Sequence, residues 1–136
     1  MPEASIGGVV LIGSSDTGMQ RMLDGFIGGN FNRKVLYASD TSDFLLEMLN
    51  RQVALSILDI NLAGLPVAKT IQIIRKCRPR VPIIVLSDDY SVATGSSIME
   101  HGVFYYVYKP LDMDRFLEVV KSALRKRERE ESEERR

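Results

Sequence analysis

Val53-Ala54-Leu55-Ser56-Ile57-Leu58-Asp59-Ile60-Asn61-Leu62 decides how the rest of the chain is read. Residues 53–58 are apolar apart from Ser56, and the run is bounded by Gln52 and Asp59. A run this short and this apolar marks a strand buried on both faces. Such a strand needs helices above and below its sheet, which implies a parallel α/β arrangement. The strand stops at Asp59 and residues 61–65 form a loop. Pro66 then suits the first turn of a helix whose inner face carries Val67, Ile71 and Ile74.

The same alternation continues in both directions. Toward the N-terminus, residues 9–12 form a first strand. Thr17 with Gln20 reads as a capping box, and Met19, Met22, Leu23, Phe26 and Ile27 follow helical spacing until Gly28-Gly29-Asn30. Residues 35–38 give a second strand. Thr41 or Ser42 caps a helix whose buried stripe is Phe44, Leu45, Met48 and Leu49. Met19, Met22 and Met48 are read as core residues. Toward the C-terminus come a strand at 81–86, a helix at about 90–101, a strand at 104–108 and a helix from 112 to 127 or beyond. That last helix turns Phe116, Leu117, Val120 and Leu124 inward, and His101 before Gly102 reads as a helix end. Five strands alternating with five helices fit a flavodoxin-like doubly wound parallel sheet of order 2-1-3-4-5, an order that periodicity alone does not fix.

The 136 residues suit one domain with a hydrophobic core, read as 1–127 plus a charged C-terminal helix extension or tail at 128–136. Apolar content is 45% and charged content 26%, ordinary for a soluble protein. Lys plus Arg equals Asp plus Glu at 18 each, so bulk charge points to neither nucleic acid nor polyphosphate. No apolar run is long enough for a membrane, and no basic-then-apolar leader opens the chain. The single cysteine, Cys77, excludes an internal disulfide and fits a cytoplasmic protein. The tail, residues 125–136, is almost wholly Arg, Lys and Glu. Pairs such as Arg127/Glu131 and Arg129/Glu133 make it read as a solvated helix that frays.

In sheets of this kind ligands bind at the carboxyl ends of the strands. Strand one ends at Ser14 and Ser15, strand three at Asp59, strand four at Ser87 and Asp88, and strand five at Lys109-Pro110. A carboxylate, a hydroxyl and an ammonium converging there suit phosphoryl chemistry: the carboxylate as nucleophile, the other two as holders of phosphoryl oxygens.

Taken together and in order, these segments resemble the response-regulator receiver family of two-component signalling, over the chain to about Arg127. Ile57-Leu58-Asp59-Ile60-Asn61-Leu62 is similar to its phosphoacceptor segment, Val85-Leu86-Ser87 to its switch Ser/Thr, and Tyr106-Val107-Tyr108-Lys109-Pro110 to its aromatic-then-Lys-Pro signature. The resemblance implies that Asp59 accepts a phosphoryl group from a histidine kinase or phosphotransfer protein. It implies that Lys109 pairs with the phosphoryl oxygens, and that Ser87 and Tyr106 act as switch residues. It further implies that Asp59 and the Asn61 backbone carbonyl ligate Mg²⁺. It implies a signalling protein rather than an enzyme, with a homodimer surface on the fourth helix, fifth strand and fifth helix and no direct nucleic-acid contact.

This sequence departs from the family where two acidic residues usually follow strand one: Ser14 and Ser15 stand there, and the first acid is Asp16. Serine hydroxyls are poor Mg²⁺ ligands beside carboxylates, so Mg²⁺ is expected to bind weakly. Asp16 is expected mainly to favour the helix N-terminus. Asp88 follows the switch serine, where a small residue is usual, and Ala63 and Pro66-Val67 alter the loop after Asp59. Two readings follow: a phosphorylated receiver, and a phosphorylation-independent pseudo-receiver that acts as a protein-interaction module. A flavin enzyme is a distant third, because Gly13-Ser14-Ser15-Asp16-Thr17-Gly18 only faintly resembles a phosphate loop.

Overall fold

The computed structural model describes residues 8–134. Residues 1–7, where no leader was read, and the last two residues of the tail lie outside the described residues. The strands are β1 (Val9–Gly13), β2 (Val35–Ala38), β3 (Val53–Asp59), β4 (Ile83–Ser87) and β5 (Tyr105–Tyr108). The helices are α1 (Thr17–Asn30), α2 (Thr41–Asn50), α3 (Val67–Cys77), α4 (Val92–Met99) and α5 (Met113–Glu134). All pairings are parallel, and the sheet order is β2-β1-β3-β4-β5, as expected for the flavodoxin-like winding.

β3 sits at the centre, and every one of its residues is buried. The sheet separates two cores. On one face Leu11, Leu58, Ile83 and Val85 pack under Phe44 and Met48 of α2, Ile71 and Ile74 of α3, and Ile98 of α4. On the other, Val10, Ile12, Leu55, Ile57, Ile84 and Leu86 meet Leu23 and Ile27 of α1 and Phe116, Val120, Ala123 and Leu124 of α5. Burial on both faces is why the central strands carry almost no polar residues. Gly13, at the end of β1, lets the Phe44 ring lie against the backbone: a Cβ there would stand 2.6 Å from Phe44 Cδ1 and 2.9 Å from Leu62 Cδ2.

Ser56 is the exception within β3. It is fully buried, and its hydroxyl has no hydrogen-bond partner among the described residues. A buried hydroxyl left unpaired costs free energy that an apolar group of similar size does not. Ser56→Ala is therefore expected to leave stability unchanged or raise it by about 1 kcal/mol, read from denaturant midpoints.

Several local expectations are corrected. α1 is capped by Asp16, whose carboxylate accepts from Met19 N, not by Thr17 with Gln20. α2 is capped by Asp40, which accepts from Asp43 N, not by Thr41 or Ser42. In both cases an Asp one or two positions earlier is the stronger cap, because its carboxylate also favours the positive helix end. Met22 and Leu49 are exposed at 42% and 49%, since the buried stripes are narrower than the apolar pattern. α4 is shorter than the stretch 90–101, because Ser91 caps it and Gly102 follows with φ of 85°. Leu117 is half-buried while Ala123 is fully buried.

α5 runs unbroken past residue 127 to Glu134, so the described part of the tail continues that helix. Arg33 holds it: Nη2 pairs with Glu128 at 3.1 Å while Nη1 donates to Gly8 O at 3.0 Å. Gln52 reaches Glu131 at 3.5 Å, and Arg127 lies 4.0 Å from Glu131.

Candidate functional site at the strand ends

The carboxyl ends of β1, β3 and β5 bring Ser14, Asp59 and Lys109 together. Asp59 is 3% exposed and both its oxygens are engaged. Oδ2 accepts from Lys109 Nζ at 2.8 Å and from Ser14 Oγ at 3.4 Å, and Oδ1 accepts from Asn61 N at 2.9 Å. The Lys109–Asp59 ion pair thus sits at the mouth of a buried carboxylate, with the lysine side chain 20% exposed. Lys109 N donates to Ser87 O at 2.8 Å, which fixes where the lysine leaves β5.

The two serines have different surroundings. Ser14 is fully buried and also accepts from Asp16 N at 3.1 Å. Ser15 is exposed and turned away from Asp59: it donates to Ser39 O at 3.0 Å and accepts from Ala63 N at 3.2 Å. Ser15 thereby ties the loop after β1 to the loop after β3. Thr41 supports the same loop from α2, its N donating to Ala63 O at 2.9 Å and its hydroxyl accepting from Leu65 N at 3.0 Å. Gly64, at φ of 113°, makes that approach feasible: a Cβ would lie 2.2 Å from Thr41 Oγ1.

Ser87, at the end of β4, is the hydroxyl that the strand-end pattern sets beside Asp59. Its register neighbour Leu86 pairs with Asp59 across the sheet, but the Ser87 hydroxyl is committed elsewhere. It accepts from Tyr106 OH at 2.7 Å and from Asp89 N at 2.9 Å, and it donates to Asp89 O at 3.2 Å. Tyr106 is half-buried against α4, while Tyr105 and Tyr108 are 49% and 44% exposed. The Asp89 carboxylate accepts from Ser91 N and Thr94 Oγ1, both at 2.9 Å, and Ser91 caps α4. The Ser91 backbone bond first, then the Ser91 and Thr94 side chains, hold the Asp89 carboxyl below the usual carboxylate range.

Asp89 and Tyr90 belong to this network and were not singled out in the sequence. The Asp89-Tyr90-Ser91 order does carry a signal for Asp89, because Asp bonding the backbone two residues on is a common turn. For Tyr90 there was none. The carboxylates near the pocket are each committed: Asp16 to capping α1, and Asp88, exposed at the rim, to Asn61 Nδ2 at 3.0 Å. Among the described residues no group of three His, Cys, Asp or Glu side chains is placed to hold a metal ion. One carboxylate already paired with an ammonium is a poor donor set for Mg²⁺, whose sites are built from several oxygens and usually from carboxylates.

A parallel sheet of this order, with a carboxylate and a lysine meeting at its strand ends, defines a receiver-type signalling domain. The family model for the response regulator receiver domain matches residues 10–121, and the chain belongs to that family. It is 28% identical over 97 residues to the transcriptional regulatory protein ZraR of Salmonella typhimurium, a match covering 71% of this chain and 22% of that regulator. It is 32% identical over 82 residues to the luminescence regulatory protein LuxO of Vibrio campbellii, covering 60% of this chain and 18% of that protein. The chain thus spans about a fifth of the length of the curated relatives it matches. Its fold is that of a CheY-like receiver domain from Methanospirillum hungatei JF-1, with a TM-score of 0.83 at 22% identity over 89% of this chain and 96% of that one. The family is a signalling module. No helix among the described residues is long and apolar enough to cross a membrane.

Proposed function

We propose that this chain is a receiver whose phosphoacceptor is Asp59, with a phosphoryl-transfer chemistry throttled by the serine pair. The observation that carries this reading is the 2.8 Å contact of Lys109 Nζ with a carboxylate that is otherwise buried. In the transfer, an Asp59 oxygen attacks the phosphorus of a phosphohistidine on a histidine kinase or phosphotransfer protein. The P–N bond breaks, the donor imidazole takes up a proton, and Lys109 pairs with the phosphoryl oxygens. Ser87 and Tyr106 are the switch positions, and Ser87 must give up its bonds to Tyr106 and Asp89 to reach the phosphoryl group. Mg²⁺ binds weakly, because only Asp59 among the nearby carboxylates faces the pocket.

Output runs through protein contacts, including a homodimer on the α4–β5–α5 face. Val92, Met99, Tyr105 and Tyr108 are exposed there beside Arg115 and Glu118. Charges at such a rim select partners more than they add affinity.

A second reading, a phosphorylation-independent interaction module, is favoured by the Ser14 hydroxyl, which already donates to Asp59. Intact-mass measurement after incubation with a small-molecule phosphodonor separates the two. The first reading expects a slow gain of one phosphoryl group that Asp59→Asn abolishes. A gain that survives Asp59→Asn sinks Asp59 as the acceptor, and no gain at long times favours the second reading.

A further inference from the structure

Among the strand-end hydroxyls, Ser14 is the one that touches Asp59. It follows the end of β1 and is fully buried. Its Oγ donates to Asp59 Oδ2 at 3.4 Å and accepts from Asp16 N at 3.1 Å. Ser15 is turned instead to Ser39 O and Ala63 N, and Ser87 to Tyr106 and Asp89. Oδ2 is also the oxygen that Lys109 holds at 2.8 Å, whereas Oδ1 is bonded to Asn61 N. The Asp59 oxygen that faces the pocket therefore has an ammonium and an alcohol as its neighbours.

That pairing has a chemical consequence. A carboxylate is a far better leaving group than an alkoxide, so moving a phosphoryl group from an aspartate to a serine runs downhill. A nucleophile held against the reacting group also has the advantage of an intramolecular reaction. Water is the competitor. A pocket poor in Mg²⁺ slows attack by water on the acyl phosphate, because no metal offsets the charge that develops. Ser14, walled off from solvent, keeps its place beside Oδ2 throughout.

We propose that Ser14 is a second phosphorylation site, loaded from Asp59 within the same chain. The proposal rests on Asp59 as the phosphoacceptor, and uptake there stays the slow step. The donor enters past Lys109, at the mouth of the pocket. The phosphoryl group on Oδ2 then turns about the Cγ–Oδ2 bond toward Ser14. The Ser14 Oγ–P bond forms as the P–Oδ2 bond breaks. The bonding pair stays on Asp59 Oδ2, and the Ser14 proton passes to the freed carboxylate and on to water. Lys109 pairs with the phosphoryl oxygens before and after the step and offsets the charge of phosphate and carboxylate together. An acyl phosphate decays on its own and a serine phosphate does not, so a brief input leaves a lasting mark on the domain.

Neutral hydroxylamine separates the two species, since it cleaves an acyl phosphate and spares a serine phosphate. The whole chain is incubated with a small-molecule phosphodonor, and its intact mass is read before and after hydroxylamine. The resistant fraction should grow with time and map, after proteolysis, to the peptide that carries Ser14. It should vanish in Asp59→Asn and in Ser14→Ala, and persist in Ser15→Ala and in Ser14→Thr, which keeps a hydroxyl. Peptide mapping of the unchanged chain reads the site even if a variant folds poorly. Label that hydroxylamine removes completely at all times overturns the transfer and leaves Asp59 as the acceptor. Resistant label that survives Asp59→Asn, or that maps away from Ser14, overturns it as well. No label of either kind overturns both the transfer and the acceptor role of Asp59.

Discussion

Lys109→Ala is expected to destabilise the fold by about 3 kcal/mol or more, while Asp59→Asn costs less than about 1 kcal/mol. The asymmetry comes from exposure. Asp59 is 3% exposed on the last position of the central strand and cannot turn to water. Without Lys109 it keeps only the Asn61 N–H and a long bond from Ser14, so a buried charge loses its counter-ion. Lys109 in the Asp59→Asn variant has a long flexible stem, already 20% exposed, and can swing its ammonium into solvent. Denaturant unfolding of the two variants beside the unchanged chain measures the difference. Equal costs would mean that the pair is not the main support of the Asp59 carboxylate.

The second large effect is expected from restoring acids at the strand-one end. In Ser14→Asp with Ser15→Asp, Mg²⁺ affinity should rise at least about tenfold, equivalent to about 1.4 kcal/mol. The geometry assigns the larger share to Ser14→Asp, because Ser14 already touches Asp59 Oδ2. Ser15→Asp loses the donor to Ser39 O and so loosens the loop as it adds charge. Without metal, two carboxylates in contact repel, so the double variant should unfold at lower temperature than the unchanged chain in chelator. Saturating Mg²⁺ should then raise its midpoint by about 5 °C or more through binding to the folded state, while the unchanged chain moves little. A midpoint equally sensitive to Mg²⁺ in both proteins would show that the serine pair does not limit metal binding.

A parallel sheet covered on both faces is legible because β3, β4 and β1 read as unbroken apolar runs, whereas those runs alone do not fix the strand order. Asp16 reads as favouring its helix N-terminus, but the capping bonds of Asp16 and Asp40 are hidden for a different reason. Thr17 and Thr41 satisfy the same local pattern as caps one position on, and only the backbone conformation of Asp16 and Asp40 distinguishes them. Asp59 and Lys109 were legible as strand-end residues, and they do meet. Where the Ser87 hydroxyl points was not legible, since its choice between Asp59 and Tyr106 depends on the path of residues 88–91, which follows no periodicity. The separation of Ser14 from Ser15 was hidden too. It depends on how the loop after Asp59 folds over Thr41, and Gly64 is its only mark in the sequence.

The Asp59 site is proposed to lack only the acidic pair. Phosphate-affinity electrophoresis with a small-molecule phosphodonor and Mg²⁺ tests it directly, on the unchanged chain, on Ser14→Asp with Ser15→Asp, and on each with Asp59→Asn added. The unchanged chain should give a faint, slow band and the double variant a band at least about tenfold stronger, tracking its gain in Mg²⁺ affinity, with neither surviving Asp59→Asn. A double variant that labels no better than the unchanged chain would contradict it.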